Sequence, residues 1–135
     1  MAGVLIADQS TALVRDIAAA CQGVDLPVVG IARDGLDAVE QALRTRPSHL
    51  VLDLLLPRLS GAQVLATLAR HGLTPMIVVV SAITARESIL AARQAGAHAY
   101  LLKPLAVGRL IEVLSARRAE LTPAVPFARV AGAQP

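Results

Sequence analysis

Four residues of this 135-residue chain stand where short apolar runs end, and their chemistry is complementary. Asp8 follows Val4-Leu5-Ile6-Ala7, Asp53 follows Leu50-Val51-Leu52, Ser81 follows Met76-Ile77-Val78-Val79-Val80, and Lys103 follows Ala99-Tyr100-Leu101-Leu102. A carboxylate set in an apolar run costs several kcal/mol unless a cation compensates it. Lys103 is the only lysine among thirteen basic residues, which points to a compact point charge being needed there. Two carboxylates, a hydroxyl and an ammonium suit phosphoryl transfer to a carboxylate. Asp53 is the candidate nucleophile. Asp8 and Asp53 together suit a hard divalent cation such as magnesium. Lys103 pairs with the resting carboxylate and then with a phosphoryl oxygen, while Ser81 moves to bond another. Taken singly, each residue has a plainer reading: a strand-end Asp on a loop amide, a helix cap, a strand-end hydroxyl, a snorkelling surface cation. Their convergence on one edge is what favours chemistry.

The convergence depends on the elements that carry them. Gly3–Ala7 is expected as a strand, and Ser10 caps a helix to about Gln22 with Leu13, Ile17 and Cys21 on one face. Pro27–Ala32 is a second strand, and Asp34-Gly35 opens a helix that turns Leu36, Val39 and Leu43 inward and stops before Pro47. The Asp53 strand follows, broken by Pro57, and Ser60 caps a third helix with Val64, Leu65 and Leu68 buried and Gly72 ending it. Met76–Val80 is a fourth strand, and Thr84 with Glu87 reads as a capping box for a helix to Gly96. Ala99–Leu102 is a fifth strand. A last helix, about Val107 to Leu121, buries Leu110, Val113 and Leu114, though Ala106 gives it no cap. Five strand–helix units with continuously apolar strands predict an open, doubly wound parallel sheet of the α/β class, covered on both faces. Function in such a sheet collects at the carboxyl ends of its strands. Thr122–Pro135 carries three prolines and no apolar period, and is expected as a disordered tail or the start of a linker after a domain spanning 1–121.

Composition narrows the class. The chain is 55% hydrophobic with almost no aromatics, so its core is built of Ala, Leu, Val and Ile. No apolar run reaches membrane-spanning length, the first residues lack a basic n-region, and Cys21 has no partner for a disulfide. These points favour a cytoplasmic protein. The net charge of +3 is spread along the chain without aromatic interleaving, which fits a solvated surface better than direct nucleic-acid binding.

From Val4 to about Arg118 the chain resembles the receiver domain of two-component response regulators. The motifs that carry the resemblance are Val4-Leu5-Ile6-Ala7-Asp8, Leu50-Val51-Leu52-Asp53 with Leu56-Pro57 and Gly61, Ser81-Ala82, Ala95-Gly96-Ala97, and Tyr100-Leu101-Leu102-Lys103-Pro104. What the resemblance implies is a flavodoxin-like (βα)5 fold with strand order 2-1-3-4-5 and a phosphoaccepting switch. Asp53 would accept the phosphoryl group from a sensor histidine kinase or a phosphotransfer protein, assisted by Ser81 and Lys103. Magnesium would be held by Asp8, Asp53 and the backbone carbonyl of Leu55. Ser81 and Tyr100 resemble the family's switch pair, the ring turning inward when the loop moves, and Lys103–Pro104 its cis bond. Leu55 and Ile83 fall where the family tunes hydrolysis. The face of the fourth helix, fifth strand and fifth helix would meet a downstream protein or a second copy of the chain, with Arg86, Glu87, Arg93, Arg109 and Glu112 as a weak hint of charge pairing.

One position departs from the family. Where a second acid usually follows the first strand, the chain has Gln9, whose amide oxygen can ligate magnesium only weakly and brings no charge. The alternative is therefore a degenerate receiver that binds a partner without being phosphorylated. An aspartate-nucleophile phosphatase is disfavoured, because the second acid it needs two residues after Asp53 is Leu55.

Overall fold

The computed structural model describes residues 3–116. Five parallel strands alternate with five helices: β1 (Val4–Ala7), α1 (Thr11–Gly23), β2 (Val28–Ala32), α2 (Gly35–Thr45), β3 (His49–Leu52), α3 (Gly61–Arg70), β4 (Met76–Ser81), α4 (Arg86–Gln94), β5 (Ala97–Leu102) and α5 (Val107–Ser115). The strands lie in the order β2-β1-β3-β4-β5, as the resemblance implies. Register carries β1 and β3 side by side to their ends, Ala7 opposite Leu52, so the next residue of each, Asp8 and Asp53, leaves the sheet at the same level.

Side chains alternate across the strands and so divide the core into two layers. Leu5, Ala7, Leu50, Leu52 and Val79 face α2, α3 and α4, whereas Val4, Ile6, Val51, Val78 and Val80 face α1 and α5. Every residue of β1 and β4 is buried, which explains why these strands read as unbroken apolar runs. Fully burying one such Leu, Ile or Val contributes about 1.5–3 kcal/mol.

Several boundaries follow the local chemistry. Ser10 caps α1 by accepting from Leu13 N, and Asp34 caps α2 by accepting from Asp37 N. Ser60 and Gln63 close a full capping box on α3. Three sequence expectations need correction. In α2 the buried side chains are Ala38, Gln41 and Ala42; Val39 packs against the core as expected though only partly buried, Leu43 is half-covered, and Leu36 is exposed. The cause is Gln41, whose Nε2 donates to Ile31 O on the outer strand at 2.8 Å and to Asp37 Oδ2 at 2.9 Å, in space left free beside Gly30. Nor do Thr84 and Glu87 form a capping box: α4 begins at Arg86 on Ala85, with no side-chain cap. The expected last helix is shorter than Leu121, because Ala116 is already extended; residues 117–135, including the expected tail, lie outside the described residues. No helix among the described residues is long and apolar enough to cross a membrane.

Candidate functional site

The two acids arrive by backbone pairing. Asp8 N donates to Ala32 O at 3.0 Å, and Asp53 N to Ala7 O at 2.9 Å, so the last rungs of the sheet fix both residues at its carboxyl edge. Both are almost fully buried, 2% and 6% exposed. Each side chain keeps one oxygen for the chain itself: Asp8 Oδ1 accepts from Ser10 N at 2.9 Å, and Asp53 Oδ1 from Leu55 N at 3.0 Å. The other oxygen of each meets Lys103. Its Nζ lies 2.9 Å from Asp8 Oδ2 and 3.0 Å from Asp53 Oδ2. The contact to Asp53 is an aligned hydrogen bond, whereas Asp8 Oδ2 has the ammonium beside it as an ion pair without that alignment.

One ammonium thus serves two buried carboxylates. Burial alone would lower the Lys103 pKa, but the bonds and charges of Asp8 and Asp53 outweigh it and hold the value above the ordinary 10.5. Lys103 is brought there by β5, whose next amide, Lys103 N, pairs with Ser81 O at 2.9 Å, and by a cis Lys103–Pro104 peptide. Ser81 is fully buried and its Oγ accepts from Ile83 N at 3.2 Å. Tyr100 is also fully buried, and its hydroxyl donates to Ile83 O at 2.7 Å. The ring therefore occupies the inward position. Its pKa is raised, chiefly by burial, against a lowering hydrogen bond with Ser81 and with a further rise from the Asp53 charge.

The loop after Asp53 is tightly braced. Gly61 N donates to Leu54 O at 2.9 Å, Gly35 N to Pro57 O at 3.1 Å, and Arg58 takes a left-handed φ of 70° with its guanidinium 3.8 Å from Asp34. Leu55 projects from this loop, 55% exposed, and with Ile83, Leu65, Ala91 and Ala92 it lines an apolar cleft of about 300 Å³ between α3 and α4. The structure therefore gathers Asp8, Asp53, Ser81, Lys103 and Tyr100, with Leu55 and Ile83 at the rim. Gln9 sits differently from expectation. Its Nε2, not its oxygen, is turned to the site, donating to Leu55 O at 3.1 Å.

Arg33 joins this edge from β2, the one strand whose end carries no expected site residue. It follows β2 at the same edge, and its Nη1 donates to Gln9 O at 3.1 Å and Thr11 Oγ1 at 3.0 Å. The signal was its position, directly after the strand.

For a divalent cation the donor chemistry fits: two buried carboxylates and a carbonyl are the hard oxygens magnesium takes. Asp8 Oδ2, buried and without an aligned hydrogen bond, is the atom most in need of such a partner. Among the described residues no three acidic, His or Cys side chains cluster as a metal cage, so the protein alone would supply only part of the coordination shell.

Residues 4–115 match the family of the response regulator receiver domain. The chain belongs to that family. Among its relatives is protein-glutamate methylesterase/protein-glutamine glutaminase 5 of Myxococcus xanthus, 40% identical over 116 residues, covering 82% of this chain and 33% of the relative. The transcriptional regulatory protein PdtaR of Mycobacterium tuberculosis is 35% identical over 111 residues, covering 82% of this chain and 54% of PdtaR. The chain thus spans only about a third to a half of these relatives. The receiver domain of AraT, a response regulator of Geobacillus stearothermophilus, superposes with a TM-score of 0.74 at 30% identity, over 88% of this chain and 91% of that one. The receiver fold is the shared feature.

Proposed function

We propose that this receiver is a phosphorylation-dependent signalling switch whose acceptor is Asp53. The observation that carries the reading is the paired approach of Lys103 Nζ to Asp53 and Asp8, at 3.0 and 2.9 Å, at the level where β1 and β3 end. A carboxylate oxygen of Asp53 forms a bond to phosphorus as the phosphorus–nitrogen bond of a phosphohistidine breaks on a sensor kinase or a phosphotransfer protein. Lys103 then exchanges its carboxylate for a phosphoryl oxygen, and the Ser81 hydroxyl takes another, which releases Ile83 N from Ser81 Oγ. That release moves the loop to which the Tyr100 hydroxyl is bonded and so reaches β5. Magnesium, when bound by Asp8, Asp53 and the Leu55 carbonyl, supplies charge neutralisation on the transferring group. The cellular setting is the cytoplasm, the output a protein contact through α4, β5 and α5, where Leu90 and Ile111 are exposed, and the chain's own chemistry ends at accepting and slowly losing the phosphoryl group.

The test is labelling by a small acyl phosphate in magnesium buffer. Wild type becomes labelled, and Asp53→Asn, which keeps shape and burial, is folded and unlabelled; undiminished labelling of Asp53→Asn removes the assignment. The second reading, an interaction module that works unphosphorylated, is favoured by one observation, the Gln9 amide turned onto Leu55 O. A beryllium fluoride mimic separates the two. The switch shifts the amide resonances of Ser81 and Tyr100, and the module leaves them in place at high magnesium.

A further inference from the structure

Gln9 is the residue that departs from the family pattern, and its side chain is engaged. Nε2 lies 3.1 Å from Leu55 O, the same carbonyl that the cation would use. A carbonyl oxygen can only accept, so the amide must present its NH2 group there. Gln9 thus places a donor against an atom that a cation needs as a ligand. Its backbone is anchored as well. Arg33 Nη1 bonds Gln9 O at 3.1 Å and Thr11 Oγ1 at 3.0 Å, tying the turn between β1 and α1 to the loop after β2. Across the site, Lys103 meets Asp8 Oδ2 and Asp53 Oδ2. Lys103 thus faces Asp53 through a hydrogen bond and Asp8 through an ion pair alone, while the Gln9 amide faces the Leu55 carbonyl.

We propose that Gln9 is an internal competitor of the divalent cation, its amide setting a hydrogen-bond donor on the Leu55 carbonyl that the cation must share or displace. The proposal rests on the reading of the Asp8–Asp53 edge as a cation and phosphoryl site, and deepens it. A carboxylate at this position would be drawn to the cation and repelled by the carbonyl. The amide does the reverse: it offers the cation no charge and gives the carbonyl a substitute partner. Gln9 is then a positioning residue. It holds the loop from Asp53 to Ser60 by the Leu55 carbonyl and sets a higher threshold of magnesium for loading.

Two roles for Gln9 predict opposite signs. A residue that ligates through its amide oxygen weakens metal binding when truncated, whereas a competitor strengthens it. The experiment titrates Mg2+ alone, with no phosphoryl donor, into the full chain as wild type, Gln9→Ala and Gln9→Asp. It is read by the backbone amides of Asp53 and Leu55 and, in wild type, by the Gln9 side-chain NH2 resonances. Gln9 is exposed, so the variants fold, and Gln9→Ser repeats the truncation independently. Gln9→Ala is expected to bind Mg2+ about three- to ten-fold more tightly than wild type, the range set by losing one neutral hydrogen bond. In wild type the Gln9 NH2 signals move as the metal saturates. Equal or weaker binding by both truncations, with Gln9→Asp still binding, overturns the competitor role and leaves the cation site standing. No saturable binding even by Gln9→Asp overturns both.

Discussion

The helices in the first half of the receiver and those in the second begin in different ways. α1, α2 and α3 each start on a side chain that accepts a backbone N–H: Ser10, Asp34 and Ser60. α4 and α5 start on Ala85 and Ala106, with no such bond. The glycines nearest Asp53 show a related contrast, although Gly23 and Gly72 in the first half are as open as those of the second. A Cβ on Gly35 would collide with the Leu59 carbonyl and one on Gly61 would come within 2.5 Å of Asp53 O, while one on Gly96 or Gly108 would meet nothing within 4 Å. The half that carries Asp8 and Asp53 is locally determined and closely packed around the acceptor. The half that carries Ser81, Tyr100 and Lys103 is placed by contacts between its elements rather than by caps: Lys103 reaches the two acids of the first half, and Tyr100 holds Ile83 within its own half. Elements with weak local ends reposition at low cost, which is what the proposed response at α4 and β5 would use.

The strongest challenge to this contrast is a methyl group on each side. Gly61→Ala must push backbone against backbone beside Asp53 and is expected to lose about 3 kcal/mol. Gly108→Ala has open space in a helix and should gain about 0.5–1 kcal/mol. Thermal or urea melts of the two variants give the comparison, and similar shifts would erase it. Next comes the seam where the halves meet over Asp53. Leu55 from one side and Ile83 from the other are apolar and cannot orient a water at phosphorus. Leu55→Asn with Ile83→Glu should speed loss of label from the phosphorylated protein about ten-fold, or about 1.4 kcal/mol of barrier. A wild-type label gone within seconds would defeat the idea that this rim shields it.

Exchanging caps sharpens the contrast further. Ser60→Ala removes the acceptor for Gln63 N at 3.2 Å and should cost about 1 kcal/mol. Ala85 already has the extended backbone of a cap residue, so Ala85→Ser should return about 0.5–1 kcal/mol to α4. If Ala85→Ser stabilises α4, it should also blunt the beryllium fluoride shifts at Ser81 and Tyr100. The smallest effect at neutral pH belongs to Cys21, buried under α1, where burial outweighs a backbone hydrogen bond and pushes the thiol from 9.0 up to about 11. The unfolded chain therefore releases this proton first, and stability contributed by the neutral thiol is complete below pH 9.0 and falls as pH rises toward about 11. Lys103 acts in the same direction at higher pH, its contribution complete below 10.5 and lost as pH passes its raised value. Cys21→Ala should flatten the first part of that decline in melts taken across the alkaline range.

The same division explains what the sequence could disclose. Ser10, Asp34 and Ser60 announce their helices because a cap is a local device, and the apolar runs announce buried strands because both faces are covered. Thr84 and Glu87 have the spacing of a capping box, yet none forms. The helix instead begins one residue later, after Ile83 is held from outside by Ser81 Oγ and the Tyr100 hydroxyl. The inward face of α2 departs from its apolar period for a related reason. A polar Gln41 turns inward because Ile31 O, on the outer strand β2, needs a donor, and no periodicity of apolar residues reports that need. At the site, the types and strand-end positions of Asp8, Asp53, Ser81 and Lys103 were legible. The direction of the Gln9 amide and the reach of Arg33 depend on loop geometry that only the folded chain supplies.

Tyr100 is the only tyrosine in a chain without tryptophan. Its ring is fully enclosed, and its hydroxyl rests on the loop that Ser81 would displace. The protein thus carries a native optical probe at the loop proposed to move, free of background from any other tyrosine or indole. Rupture of the Ile83 contact, or exposure of the phenol to water, would change ultraviolet absorbance and emission from one known atom group, so that loop motion could be timed in stopped flow without a label.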